Sequence, residues 1–308
     1  MRTRSSVGSR LLTLLLIAPL CNQLAHAQEM EPRAYSNAPI DMNFLVIGYG
    51  YSAGGLLFDP SLPVQGAHAT LNYGVLGFAH SFDLAGKSAK FAMVLPYAGL
   101  DANGYLDGTY AERVVSGFAD PAFSLSVNFS GAPALPLKEF LHYRQETVIG
   151  ATLKVTAPWG QYDADRLINI GTHRWSIKPE IGVSQALDNW VVEGSAAFTT
   201  YTSNNEFYGG QKLEQDPIYS VQAHVVYNFT SGMWVAFDAT YYTGGESTVS
   251  GVAKDNKLDN WRYGLTFAMP VDKYNSIKFS ASTGIITRTG TDFDAYLLAW
   301  QYRWGGGL

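Results

Sequence analysis

Toward the C-terminal end of the chain, Leu298, Trp300, Tyr302 and Trp304 occupy every second position, with Ala299, Gln301 and Arg303 between them. A period of two sends alternate side chains to opposite faces of a strand. The same division recurs in Trp261, Tyr263, Leu265, Phe267 and Met269 against Arg262, Gly264, Thr266 and Ala268. It recurs again in Tyr219, Val221, Ala223, Val225 and Tyr227 against Ser220, Gln222, His224, Val226 and Asn228. One face is apolar and aromatic, and the other is polar or small.

Carried along the chain, this pattern predicts strands at 42–53, 67–82, 88–98, 118–130, 144–158, 174–187, 190–202, 216–229, 233–243, 258–270, 276–287 and 292–304. Most exceed the five or six residues usual in soluble strands. Their connections alternate in length. Segments 83–87, 188–189, 230–232 and 271–275 are tight turns, whereas 54–66, 99–117, 159–173, 203–215 and 244–257 are long and rich in Gly, Asp, Asn and Tyr. Short turns on one side and long loops on the other mark an outer-membrane barrel. The fold class expected is all-β: a transmembrane antiparallel up-and-down β-barrel of about twelve strands over 42–308, with both termini in the periplasm. Three stretches depart from the pattern, one of them the 288–291 connection, which is short for an outer loop. Residues 131–143 are long for a periplasmic turn and predict a short helix over 137–140, and Phe44 and Val46 interrupt Leu45, Ile47, Tyr49 and Tyr51, which predicts a bulge in the first strand.

Tryptophans support the membrane setting. Trp175, Trp190, Trp234, Trp261, Trp300 and Trp304 all fall near strand ends, where lipid-facing barrels carry aromatic girdles. Composition agrees: 47% of the chain is hydrophobic and 15% charged, against about 25% charged in ordinary globular proteins. After the first 27 residues, no run approaches the roughly 18 apolar residues of a spanning helix.

The N-terminal segment reads as an address. Arg2, Arg4 and Arg10 precede an apolar run from Leu11 to Leu20, and Ala25-His26-Ala27 supplies the small residues of a signal-peptide cleavage site after Ala27. Removal of residues 1–27 takes away Cys21, the one cysteine, and moves the net charge from −5 to −8. An exported acidic chain has no electrostatic footprint for nucleic acid. Residues 28–41, with Pro32 and Pro39, are too polar and proline-rich for a strand; they form either a periplasmic N-terminal segment or a plug in the lumen.

Several segments resemble the MetA-pathway of phenol degradation family, whose members are grouped with outer-membrane barrels and labelled transporters. They are Glu31-Pro32-Arg33-Ala34-Tyr35 with Pro39, Gly117-Phe118-Ala119-Asp120-Pro121, and Ala157-Pro158-Trp159-Gly160-Gln161-Tyr162-Asp163. Leu167-Ile168-Asn169-Ile170-Gly171-Thr172 with Arg174-Trp175, Lys178-Pro179-Glu180, and Thr240-Tyr241-Tyr242-Thr243-Gly244-Gly245 complete the set. The resemblance implies a porin-like transporter for small hydrophobic or aromatic compounds, associated with their degradation. It implies no catalytic residues.

Candidate chemistry concentrates in the lumen, where alternation aims Lys90, Lys154, Lys178, Glu180, Glu193, His224, Asp238, Arg262, Lys278 and Arg303 inward. Both signs are present, so the expectation is either a salt-bridged network or a polar constriction that sorts solutes. Tyr201, Tyr208, Tyr241 and Tyr242, near the loop bases, are candidates to stack on an aromatic solute or to join the interfacial belt. Acidic outer loops suit the divalent cations that bridge lipopolysaccharide. The partners expected are outer-membrane lipid and lipopolysaccharide, the barrel assembly machinery and a small-molecule solute. No cofactor motif, metal-ligand spacing or Gly-x-Ser-x-Gly occurs. A non-conducting structural barrel and an outer-membrane lipid hydrolase are the alternatives to a channel.

Overall fold

The computed structural model describes residues 31–57, 64–106 and 108–308; the signal-peptide segment and residues 28–30 lie outside them. In chain order the elements are β1 (Met42–Leu57), β2 (Val64–Leu84), β3 (Lys87–Leu106), β4 (Thr109–Phe118), β5 (Ala122–Ser130), α1 (Leu137–Phe140), β6 (Thr147–Thr156), β7 (Ser176–Leu187) and β8 (Trp190–Tyr201). There follow β9 (Asn204–Phe207), β10 (Gln211–Gln215), β11 (Ile218–Asn228), β12 (Trp234–Gly244), β13 (Ser247–Val249), β14 (Val252–Ala253), β15 (Leu258–Pro270), β16 (Asn275–Thr287), β17 (Gly290–Thr291) and β18 (Asp294–Gly305). Each wall strand pairs antiparallel with the next, in the order β1-β2-β3-β5-β6-β7-β8-β11-β12-β15-β16-β18, and β18 returns to pair with β1 from Met42↔Gly305 to Ala53↔Asp294. The result is a closed barrel of twelve strands.

Alternation follows this wall. On β11, Tyr219, Val221 and Val225 are exposed while Gln222, His224 and Val226 are buried; on β15, Trp261, Leu265 and Phe267 are exposed while Arg262, Thr266 and Ala268 are buried. An apolar outside and a polar inside are the reverse of a soluble protein, and lipid is the solvent that permits it. The tight turns sit on the periplasmic side. At the β2–β3 turn, Ala85 and Gly86 both take positive φ, and the Asp83 carboxylate accepts the Gly86 amide at 2.6 Å. The 131–146 connection carries α1 as expected and closes against the lower rim, with Ser88 and Ile40 amides donating to the Ala132 and Leu135 carbonyls.

The structure corrects five expectations. Residues 99–117 are not a loop: β3 continues to Leu106 and pairs with β4 from Tyr97↔Phe118 to Leu106↔Thr109. At about 3.4 Å per residue, the twenty residues of β3 outreach the roughly 25 Å apolar band, so this hairpin projects on the outer side. The strand expected at 118–130 is broken at Ala119-Asp120-Pro121, because proline cannot donate to the ladder; β4 pairs with the upper part of β3 and β5 with the lower. No register shift interrupts β1 against β2 or β18, so the bulge expected in the first strand is absent. Two outer loops are themselves a small sheet in the order β14-β13-β10-β9, packed around Phe207, Leu213 and Val249 with Leu167 and Tyr208. Trp234 does not join the girdle; it shares the inward set of β12 and lies under the Arg33 guanidinium, 5.6 Å from ring centroid to Cζ.

Leu265 lies mid-strand and is 58% exposed on the outer face. Leu265→Arg is expected to cost about 2–4 kcal/mol in urea titrations of folding into lipid vesicles, the cost of a cation near the bilayer midplane.

Candidate functional site in the lumen

Both faces of β1 are apolar for a reason visible only in three dimensions. Phe44 and Val46 of β1 point into the barrel with Val75 of β2, Val94 and Pro96 of β3 and Leu297 of β18, all half-buried. Their shared face shows in close approaches: a Cβ built on Gly48 would meet Leu297, and one on Gly77 would meet Val46. The inner wall over β18-β1-β2-β3 therefore carries an apolar strip, with Lys90 and Arg303 toward its lower end. Across the lumen, over β6 to β15, it is polar and charged.

Residues 31–41 run along the lower part of that polar wall. Tyr35 is 2% exposed and its ring rests on the inner faces of Gly150 and Gly182, where any Cβ would overlap it. Its hydroxyl donates to Glu180 at 2.9 Å, and its carbonyl accepts from Asn128 at 3.3 Å. The Arg33 amide and the Ser36 hydroxyl donate to the two oxygens of Glu193. The Asn37 amide donates to Gln145 at 3.1 Å, and the Ser81 hydroxyl donates to the Pro39 carbonyl at 2.6 Å. Burial of so many backbone groups is tolerable because each finds a partner.

The inward-facing charges fall into separate groups. Lys178 pairs with Glu180 at 3.1 Å, and Lys154 stands directly opposite Lys178 on the neighbouring strand. His224, paired in register with Glu193, holds Asp238 at 2.7 Å, whose other oxygen accepts the Thr266 hydroxyl at 2.8 Å. Arg262, 1% exposed, donates through Nη2 to Ser282 and the Phe293 carbonyl, while its Nε and Nη1 meet no acceptor among the described residues. Lys90 and Lys278 lie on the inward sets of β3 and β16. Arg303 donates to the Lys273 carbonyl at 2.8 Å and so ties the periplasmic turn. A single salt-bridged network is not what the lumen contains.

The four tyrosines also separate. Tyr241 is outside, 4.9 Å from Trp261 and bonded to Asp259 at 2.8 Å, in the outer belt. Tyr242 is buried inside with Ile218 and Leu258, and Tyr201 packs against the same group. Tyr208 packs into the small outer sheet. Among the described residues no three His, Cys, Asp or Glu side chains converge to hold a metal.

A junction that strand patterning alone did not single out lies where β4 breaks from β5. Asp120, 5% exposed, accepts the Gly160 amide at 2.8 Å through one oxygen, and the Thr172 amide and hydroxyl at 2.7 and 2.6 Å through the other. Arg174, 3% exposed, places its guanidinium 4.3 Å over the Tyr201 ring and donates to Gln215 through Nη2. Burial pushes Arg174 down to about 10, which leaves it charged at neutral pH. The segments that carry the family resemblance, 117–121, 157–163 and 167–175, thus meet at one point, where loop 157–175 is folded against the broken strand. Asp120-Pro121 inside an otherwise strand-like run was the available sequence signal.

Wall and lumen together define a closed outer-membrane β-barrel. The family described as "Putative MetA-pathway of phenol degradation" matches residues 52–300, and the chain belongs to it. A crystal structure of an outer-membrane channel from Pseudomonas putida F1 superposes with a TM-score of 0.77 at 21% identity, covering 90% of this chain and 100% of that one. The transport unit of the autotransporter AIDA-I from Escherichia coli gives 0.56 at 10% identity over 98% and 99% of the two chains. The β domain of the Bordetella autotransporter BrkA gives 0.54 at 11% over 86% and 100%. These similarities speak to the fold. No curated protein matches the chain.

Asp120→Ala would strip three buried donors of their acceptor. It is expected to cost about 3 kcal/mol of folding stability in urea titrations and to expose loop 157–175 to limited proteolysis, whereas Asp120→Asn retains part of both.

Proposed function

We propose that this barrel admits small hydrophobic or aromatic compounds through the outer membrane, with residues 31–41 acting as a lumen plug. The observation that carries the proposal is the apolar inner strip of Phe44, Val46, Val75, Val94, Pro96 and Leu297. A general porin for hydrophilic solutes has a polar, water-filled interior, and half-buried valines, phenylalanine and leucine on a lumen wall serve it poorly. An apolar solute loses its water against such a strip, at roughly 25 cal/mol for each Å² covered. Family membership and the channel structure from Pseudomonas putida F1 support the same assignment.

The plug is held mainly on the polar side, by Glu180, Glu193, Gln145 and Asn128. Passage along the apolar side therefore requires the segment to shift and not to unfold the wall. The partners that go with this reading are outer-membrane lipid and lipopolysaccharide around the barrel and the assembly machinery in its biogenesis.

Gly182→Val puts a side chain where the Tyr35 ring lies. In planar bilayers the wild-type protein is expected to show small conductance and the variant a several-fold larger one. Cells lacking the protein are expected to take up a neutral monoaromatic solute more slowly than complemented cells. Equal uptake in both, with no conductance from either protein, would overturn the proposal.

A further inference from the structure

The apolar strip does not end at mid-barrel. On β3 the inward set runs Ala92, Val94, Pro96, Ala98, Leu100 and Ala102 toward the outer rim, with no polar residue among them. β2 matches it in register, with Leu71 opposite Leu100 and Ala69 opposite Ala102. At its outer end the strip is covered. Leu56 of β1, Ala69, Leu100, Ala102 and Phe293 form one buried cluster, and Ile168 and Ile170 pack against it. Phe293 is only 2% exposed.

Ring order shows what this cluster spans. The 157–175 loop leaves the wall between its fifth and sixth strands, β6 and β7, and residues 288–293 leave it between the eleventh and twelfth, β16 and β18. Those two points are opposite each other. Ile168 and Ile170 from one side and Phe293 from the other therefore reach across the outer mouth to a common contact.

The two loops are held differently. Gly290 and Thr291 pair with Leu57 and Leu56 of β1, the Gly55 amide donates to Asp292 at 2.6 Å, and Arg262 donates to the Phe293 carbonyl. Phe293 is thus fixed to the wall. Residues 161–171 are instead a lobe pinched at its base, where Asp120 accepts the amides of both Gly160 and Thr172. Such Ω-loops are packed by their own side chains. Asn169 does this here: it accepts the Asp163 amide at 2.9 Å and donates to the Asp163 and Arg166 carbonyls. Arg113 of β4 ties the lobe down, with its Nε donating to the Ile168 carbonyl at 3.3 Å.

We infer that lobe 161–171 is the leaf of an outer gate, sealed by Ile168 and Ile170 against Phe293. The gate rests on the uptake function proposed above and supplies the residues that select its solute. A constriction of apolar side chains excludes water and ions by dewetting. An apolar solute passes because its own surface replaces the contacts the isoleucines give up, whereas a hydrated one leaves them facing water. Segment 31–41 lies at the lower end of the barrel and the seal at the outer end, so the two closures act in series.

The test records ion conductance of the full-length protein in planar bilayers, in the wild-type chain and in Gly182→Val, where the inner segment is displaced. Added to Gly182→Val, the pair Ile168→Ser and Ile170→Ser is expected to raise conductance several-fold. In the wild-type chain the gain is smaller, because the inner segment still limits flow. Ile168→Leu with Ile170→Leu keeps the apolar surface and is expected to stay near the Gly182→Val value. If the serine pair lacks the faster gel migration of a folded, unheated barrel, Arg113→Gln takes its place; it frees the Ile168 carbonyl, leaves the seal intact and is expected to raise the fraction of time spent open. Conductance unchanged from Gly182→Val in the folded variant, or an equal gain from the leucine pair, overturns the gate. Cellular uptake of a neutral monoaromatic solute separates the gate from the transport reading. Normal uptake with no effect of the lobe variants removes only the gate, and a gain in conductance without aromatic uptake removes the transport reading and keeps the gate.

Discussion

Everything in this molecule depends on the pairing of β18 with β1. In hydrocarbon an unpaired amide or carbonyl costs several kcal/mol, so a sheet can enter a bilayer only when it has no edge. Twelve register-true residue pairs, from Met42↔Gly305 to Ala53↔Asp294, remove that edge. Closure also sets which face is which. Once the sheet is a ring, one set of alternate residues must meet lipid and the other must meet the lumen, and the even strand number brings both chain ends to the same side.

A closed wall leaves the interior free to vary, and here it varies around its circumference. The side built from β18, β1, β2 and β3 carries a strip of small and apolar groups, while β6 to β15 carry most of the inward charges. Segment 31–41 lies on the charged side because its donors find acceptors there: Glu193 and Gln145 take the Arg33 and Asn37 amides, and Glu180 takes the Tyr35 hydroxyl. The apolar strip offers no such groups; below it, Ser81 of β2 bonds Pro39 and Asp41.

Strands whose inward residues are polar or small, such as β11 and β15, could be read directly from residue order, since their two faces differ in chemistry. β1 could not, because Phe44 and Val46 face an apolar part of the lumen and erase the contrast that marks a face. The β3–β4 projection escaped for a related reason. Above the membrane its outer residues, among them Asp101 and Glu112, no longer need to be apolar, so the alternation fades although the pairing continues. Of the inward charges, Lys178, Glu180, His224 and Asp238 met as neighbours, since cross-strand register brings together residues whose spacing in sequence follows from hairpin length. The Asp120 and Arg174 junction joins a strand break to a loop some fifty residues away, and no local pattern encodes such a meeting.

The continuity of residues 31–41 with β1 has a kinetic meaning. Asp41 is followed directly by Met42, the first wall residue, and the Asp41 amide is bonded to the Ser81 carbonyl at 2.8 Å. The segment is therefore a tethered ligand, whose local concentration on a leash of some ten residues is on the order of millimolar. It cannot be diluted, titrated away or lost to the periplasm. Should the proposed passage displace the segment, its return would be intramolecular.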